Sequence, residues 1–436
     1  MSTTRAKTRT RDGLPGRISG RGLDLSRAAQ KVSPQTLKTT ISELRTPIIA
    51  FWVHFILVEI FAAIAMTHSA SLPVVPAVGV TLKDMTGLFH DFVQPLRNWD
   101  GFWYTLIAEQ GYHANPATAA FWPVYPLILR YLHQVLTWSV PTVGVVVSNV
   151  AFFFGLIYLY RLIRNDHPEK IAKRAIWLLV LFPTAFYFSA VYTESLFLLL
   201  TVASIYYGRT DRWGRAAIVG ALAALTRNTG FLILIPLGLF LVHRYGWDPR
   251  GWWRKGIQLV LIPLAPLAFL YRLKQLWNDP LMTLHVQSEW ARYRAWPWQT
   301  IQTEFHKLDL TWFHYLYHNF SWSNLTSAYV RHLFAESQTY DLVVTLIFIA
   351  LAIYMLFKVR PAYSLYAIVA FVLPMFSPSL VHPLMSTPRF VLVLFPFFIA
   401  MAYLLRNRYV YGAVLALFVI QFAVLLIQFS TWFWVA

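Results

Sequence analysis

The sequence predicts an all-α, polytopic membrane protein, and three observations carry that prediction. Hydrophobic residues make up 57% of the 436-residue chain and charged residues only 13%, a balance too apolar for an ordinary water-soluble domain. Apolar runs approaching the ~20 residues needed to cross ~30 Å of hydrocarbon recur along most of the chain. Between them, short loops gather Lys and Arg as cytoplasmic loops do. Cysteine is absent, so disulfides, thiolate metal sites and thiol nucleophiles are excluded.

Taken in order, residues 1–46 carry ten Lys or Arg against three acids, with Gly, Ser and Thr between them, and read as a basic, disordered cytoplasmic tail. Residues 47–436 then form a single transmembrane domain. Its first span is about 47–66, followed by a long outer loop at 67–139. Within that loop, 119–137 is short, interrupted by prolines and carries Arg130 and His133, so it is expected to lie on the surface or re-enter rather than cross. The next span, 140–160, then exits into the basic RLIRNDHPEKIAKR. Short paired spans follow at about 175–190 and 192–207, and at 215–227 and 229–243. A span near 256–276 opens a second outer loop at 277–338, and spans near 340–357, 361–378, 389–405 and 409–430 complete a count of eleven. With the N-terminus inside, 26 of the 37 Lys and Arg face the cytoplasm, so the net charge of +18 is topological rather than a nucleic-acid surface.

The chemistry is expected on the outer side. In NWDGFWYTLIAEQGY (98–112), Trp99, Phe102, Trp103, Leu106 and Ile107 recur at helical spacing, predicting a short helix with its rings in lipid and Gly111 at its end. Asp100 and Tyr104, four apart, share another face. Asp100 there either caps the helix or serves a site. Asp91 and His90 read as loop residues, because Pro95 breaks any helix that would align Asp91 with Asp100. Glu194, in SAVYTES, either starts a helix or lines a site. Arg227, in ALTRNTG, sits deep between short spans and either pairs with an acid such as Glu59 or holds a ligand. His382 and Arg389 occupy the mouth of a span, where an arginine either snorkels or clamps an anion. No GxxxxGK[ST], HExxH, DxD or GxSxG pattern is present, which removes the usual signatures of nucleotide, zinc-protease, nucleotide-sugar and serine-hydrolase sites.

In order, WDGFWYTLIAEQGY with AAFWPVYPLILR, LFPTAFYFSAVYTESLFLLL, GALAALTRNTGFLILIP and STPRFVLVLFPFF resemble the motifs of the PIG-V family of GPI mannosyltransferases, particularly its bacterial branch. The resemblance covers about residues 98–400. It implies a GT-C-type fold of about eleven transmembrane helices, with juxtamembrane helices in the first long loop. It also implies an inverting transfer of a sugar, mannose foremost, from a polyprenyl-phosphate donor to a hydroxyl of a glycolipid or glycan acceptor at the extracytoplasmic face. Asp100 is then the general base, and Arg389 and Arg227 bind the donor phosphate. Glu194, Tyr192, His113, Arg130, Trp99, Tyr104, His382 and Asp91 line the substrates. No cofactor and no metal are expected. The expected partners are the lipid-borne donor, the acceptor and membrane lipid, with no nucleic acid and a monomeric state. The expected location is a bacterial plasma membrane, or the endoplasmic reticulum in a eukaryote. Phe121-Trp122-Pro123 departs from the two phenylalanines the family commonly shows before that proline. Trp290, Trp296 and Trp298 are expected to stack on sugars or rest in the headgroup belt. A transporter or flippase, with the buried charges as a permeation path, and a noncatalytic scaffold recruiting partners through its tail are the alternatives from other classes.

Overall fold

The computed structural model describes residues 34–68, 90–308 and 338–435, and within these the secondary structure is helical apart from turns and one isolated β-bridge. Six helices are long and apolar enough to cross a bilayer, the first of them counted over Leu44–Met66. We number as α1 Pro34–His68, α2 Asp100–Gln110, α3 Val124–Leu136, α4 Val140–Asp166, α5 Glu169–Val180, α6 Glu194–Arg209, α7 Trp213–Ala224 and α8 Leu234–Tyr245. The chain continues with α9 Trp253–Trp277. It then forms α10 Pro297–His306, α11 Gln338–Lys358, α12 Pro361–Val372, α13 Thr387–Leu392, α14 Phe395–Leu404 and α15 Arg408–Ser430. The other predicted spans, several of them expected to be short, are shorter or broken helices among the described residues.

The breaks have local causes. The span expected at 175–190 stops at Val180, because Pro183 cannot donate to a helix and disfavours helical geometry in the residue before it. Irregular backbone at membrane depth is stable only when enclosed by protein, and residues 181–198 are all buried. Side chains take up freed carbonyls of this stretch: Ser195 Oγ donates to the Phe188 carbonyl and Ser148 Oγ donates to the Tyr192 carbonyl at 3.3 Å. The span expected at 389–405 divides into α13 and α14 in the same way, with Pro396 in the first turn of α14.

The apolar surface is inverted relative to a soluble protein. On α1, Trp52, Ile56, Ile60 and Ile64 recur every four residues and are exposed, while His54, Val58 and Ala62 face inward and are buried. His54 Nε2 lies 3.3 Å from Ser189 Oγ and its Nδ1 lies 2.9 Å from the Val180 carbonyl, tying α1 to the irregular segment.

At the core, α4 packs along α6, α6 against α7, and α7 against α9. Helices α4 and α6 run parallel: Ser148 Oγ donates to the Tyr192 carbonyl near their starts, and Arg209 pairs with Asp166 at 2.9 Å at their ends. Asp166, fully buried, also takes Arg360 at 2.8 Å and the Tyr363 hydroxyl at 2.8 Å. At 1.5 Å per residue, the 18 residues from Ser148 to Asp166 rise about 27 Å, close to one hydrocarbon thickness. One charged layer therefore lies at each end of the paired helices. The layer near Ser148 holds the candidate site.

Candidate active site

The site begins with a strained turn. Trp99 adopts φ 57° and ψ −116°, a conformation that L side chains rarely take. Its neighbours hold it there. Asn98 Nδ2 donates to the carbonyls of Phe429 and Ser430, and Trp99 Nε1 donates to the Phe433 carbonyl at 3.2 Å. The Tyr192 hydroxyl donates to the Asn98 carbonyl at 3.0 Å and accepts from the Asp100 N–H at 3.1 Å, closing the turn from the other side. Asp100 is consequently the first residue of α2, with its side chain directed away from a cap. Gly111, at φ 87°, ends the helix as expected.

Four charged side chains from distant parts of the chain meet here. Arg389 Nη1 donates to Asp100 Oδ2 at 2.7 Å and its Nε donates to Glu194 Oε1 at 2.6 Å. Arg227 Nη1 donates to the same Glu194 oxygen at 2.6 Å. The Arg389 guanidinium lies over the rings of Tyr192 and Tyr187, at 4.7 and 5.2 Å, while Arg227 lies near Phe197 and Phe390. Glu194 is wholly buried, and Asp100 keeps 16% of its side chain exposed. That difference separates their chemistry. Glu194 holds two guanidiniums, whereas Asp100 has one oxygen held by Arg389 and an Oδ1 that makes no hydrogen bond among the described residues.

Several readings of single residues are corrected. Asp100 does not cap α2: the N-cap position falls to Trp99, no side-chain cap bond forms, and Asp100 lies in the first turn with Oδ2 on Arg389. Arg227 pairs with Glu194 and not with Glu59, whose Oε2 is buried without a partner. The ring stripe of α2 does not lie in lipid. Trp103 stacks on Phe121 at 5.8 Å and meets Trp290 at 6.1 Å, while Trp99 packs on Trp432 and Trp434. These rings find protein because the segments at 286–293 and 429–435 fold over α2, contacts between positions too remote for periodicity to register.

Of the residues singled out in the sequence, Asp100, Glu194, Arg227, Arg389, Tyr192 and Tyr104 come together; the Tyr104 hydroxyl lies 3.4 Å from Thr193 Oγ1. His113 and Arg130 do not join them. Both lie beside Gly111, about 16 Å along α2 from Asp100. His382 is half-buried in the loop leading to α13, where its carbonyl accepts from the Met385 N–H. Asp91 falls in a helical turn, His90–Val93, and its side chain lies outside the described residues. Trp296 and Trp298 stack on each other at 5.0 Å and remain exposed, as belt residues would, while Trp290 forms part of the wall around α2.

Two residues near the site were not singled out. Tyr187 underlies Arg389, and its hydroxyl donates to the Val435 carbonyl. Arg292 is half-buried and feels the charges of both Asp100 and Arg389. In QSEWARYRAWPW nothing in the spacing distinguishes Arg292 from the exposed Arg294, so only the fold could reveal it. Among the described residues, no group of three or more His, Asp or Glu side chains is placed to hold a metal ion.

With this geometry in hand, the motif resemblance finds direct support: residues 44–245 match the family model described as Mannosyltransferase (PIG-V). Relatives named GPI mannosyltransferase 2 align at low identity. The one from Cryptococcus neoformans is 29% identical over 173 residues, covering 36% of this chain and 40% of the relative. The one from Yarrowia lipolytica is 24% identical over 240 residues, covering 54% of this chain and 64% of the relative. In both cases less than two thirds of the relative's length is covered. The family match holds Asp100, Glu194 and Arg227 but ends before Arg292 and Arg389.

Proposed function

We propose that the protein is an inverting membrane mannosyltransferase that moves mannose from a polyprenyl-phosphate donor to a hydroxyl of a glycolipid or glycan acceptor on the extracytoplasmic side. One observation carries this reading: in a segment similar to mannosyltransferases, a carboxylate fixed at the head of a short helix offers a single open oxygen beside a buried arginine.

A sugar hydroxyl is a weak nucleophile, so a carboxylate within hydrogen-bond reach takes its proton as its oxygen attacks the anomeric carbon. Asp100 Oδ1 accepts that proton while Oδ2 stays on Arg389, which fixes the direction of the open lone pairs. The bond from the anomeric carbon to the phosphate oxygen breaks as the new glycosidic bond forms, and the lipid phosphate departs with the bonding electrons. A single displacement inverts the anomeric centre. Glu194 works by position: it is buried at the foot of two guanidiniums and aims both. A guanidinium carries five N–H donors, and among the described residues Arg389 commits only Nε and Nη1, leaving Nη2 for a developing anion.

Purified protein, radiolabelled polyprenyl-phosphate mannose and a glycolipid extract of the host test this reading. Label should move to an acceptor, with inverted configuration in the product. Movement of labelled lipid across a vesicle without transfer would replace the enzyme reading with a transporter.

A further inference from the structure

A cleft lies at the opposite end of the molecule from Asp100. Helix α5 begins three residues after Asp166 and presents Lys170, Lys173, Arg174 and Trp177 along one face, at the i, i+3, i+4, i+7 spacing of a single helical stripe. With Glu169 and Tyr411 of α15 they line a cleft of about 500 Å³, within the range of pockets that hold small molecules.

Arg174 builds the wall. Its guanidinium lies 4.9 Å over the Tyr411 ring, and its Nη1 donates to the carbonyls of Leu405 and Arg406 at 2.6 and 3.1 Å. The Tyr411 hydroxyl donates back to the Arg174 carbonyl at 3.4 Å. Farther along both chains Phe182 meets Phe418 at 5.3 Å, which closes the seam and sets the depth of the cleft. Both contacts advance in the same direction, so α5 and α15 run parallel and both start at this end.

Helix stability does not account for the charges. Lys170 and Arg408 stand in the first turns of α5 and α15, where the helix dipole disfavours a cation. Glu169 pairs with Lys173 at 2.6 Å in an exposed contact of the kind that contributes little, and Lys170 and Arg174 have no carboxylate partner among the described residues. Arg406 and Arg408, both exposed, belong to the segment that Arg174 holds. Topology asks for cations in inner loops, but not for their collection with Trp and Tyr around a cavity.

We propose that this cleft binds the headgroup of an anionic glycerophospholipid. Lys170 and Lys173 reach its phosphate, Arg174 supplies a fixed positive charge behind them, and Trp177 and Tyr411 meet the glycerol backbone. The acyl chains run along the exposed flank of α15 at Val410, Leu417 and Ile420. The occupant is a lipid rather than a soluble anion because Tyr411 lies one turn inside a helix long and apolar enough to cross a bilayer, which sets the cleft at headgroup depth. On the proposed topology that is the cytoplasmic leaflet. The inference does not rest on the transferase reading.

Native mass spectrometry of the purified full-length protein tests it, with phosphatidylglycerol, phosphatidylcholine of the same chains and inorganic phosphate as separate titrations. Wild type should retain one phosphatidylglycerol about tenfold more tightly than phosphatidylcholine. Lys170→Gln should weaken phosphatidylglycerol about fivefold, and its combination with Lys173→Gln about 20-fold or more, with phosphatidylcholine unchanged. Both positions are exposed, so folding is not at stake, and Arg250→Gln, an exposed arginine outside the cleft, should match wild type. A double variant that binds phosphatidylglycerol as wild type does would overturn the assignment, as would a wild type that does not distinguish the two lipids. Displacement of the lipid by an equal concentration of inorganic phosphate would also overturn it, because the cleft would then recognise a free anion.

Discussion

Arg389 shows how much one side chain carries. It reaches Asp100 and Glu194 through two different nitrogens, a geometry that a planar fork permits and a single ammonium does not. Arg389→Lys keeps the charge but holds one carboxylate at a time, so kcat should fall by about 100-fold, a loss typical of removing one aimed donor. A variant within threefold of wild type would show that the fork is dispensable. Glu304 supplies a titration at the same scale, outside the spanning helices. It is fully buried, Oε2 accepts from the Leu384 N–H at 3.2 Å, and Oε1 has no partner. Burial, only partly offset by the Leu384 N–H and Lys307, pushes its carboxyl up from 4.5 to about 7. Because the folded value is the higher one, the folded state holds the proton more tightly. The associated stability is complete below the unfolded value and is lost as pH rises to about 7. Thermal unfolding should therefore show Tm falling across that window in wild type and a shallower fall in Glu304→Gln; equal slopes would contradict the assignment.

At the scale of elements, the site depends on close-packed irregular backbone. Gly230 follows Arg227 in the turn between α7 and α8, and its N–H donates to the Arg227 carbonyl at 2.9 Å. A Cβ there would lie 2.4 Å from the Ala223 carbonyl oxygen and 2.6 Å from Ala224 Cα, both backbone atoms that cannot swing aside. Gly230→Ala should cost about 1–3 kcal/mol and displace Arg227 from Glu194, while Gly238→Ala, with nothing within 4 Å, should be neutral or stabilising. Equal unfolding midpoints for the two would refute that account. The sequence made α2, its Gly111 end, the long spans and the non-crossing length of α3 legible, because each rests on local periodicity or turn chemistry. It missed the buried irregular stretch at 181–193, where an apolar run looks like a span and only Pro183 hints otherwise. The identity of the charged residues was readable from motifs, but their pairing was not. Asp100 and Arg389 are 289 positions apart, and no periodicity connects them.

Across the whole molecule, the paired helices α4 and α6 set two charged layers about one hydrocarbon thickness apart, Asp166 with Arg209 and Arg360 at one end and the candidate site at the other. On the proposed reading, the distribution of Lys and Arg puts the Asp166 end at the cytoplasm. With no native cysteine in the chain, single substitutions report sidedness cleanly. Ala114→Cys and Arg250→Cys both occupy exposed positions; in intact cells a membrane-impermeant maleimide should label the first and spare the second. The reverse pattern would place the site on the cytoplasmic face and remove the lipid-borne donor from the account. The central claim can be measured more directly, by steady-state transfer from a polyprenyl-phosphate mannose donor at saturating acceptor, comparing wild type with Asp100→Asn of unchanged Tm. The account predicts a fall in kcat of about 1,000-fold or more with donor binding intact, within the range general-base removal produces. A kcat within tenfold of wild type would show that another group takes the proton.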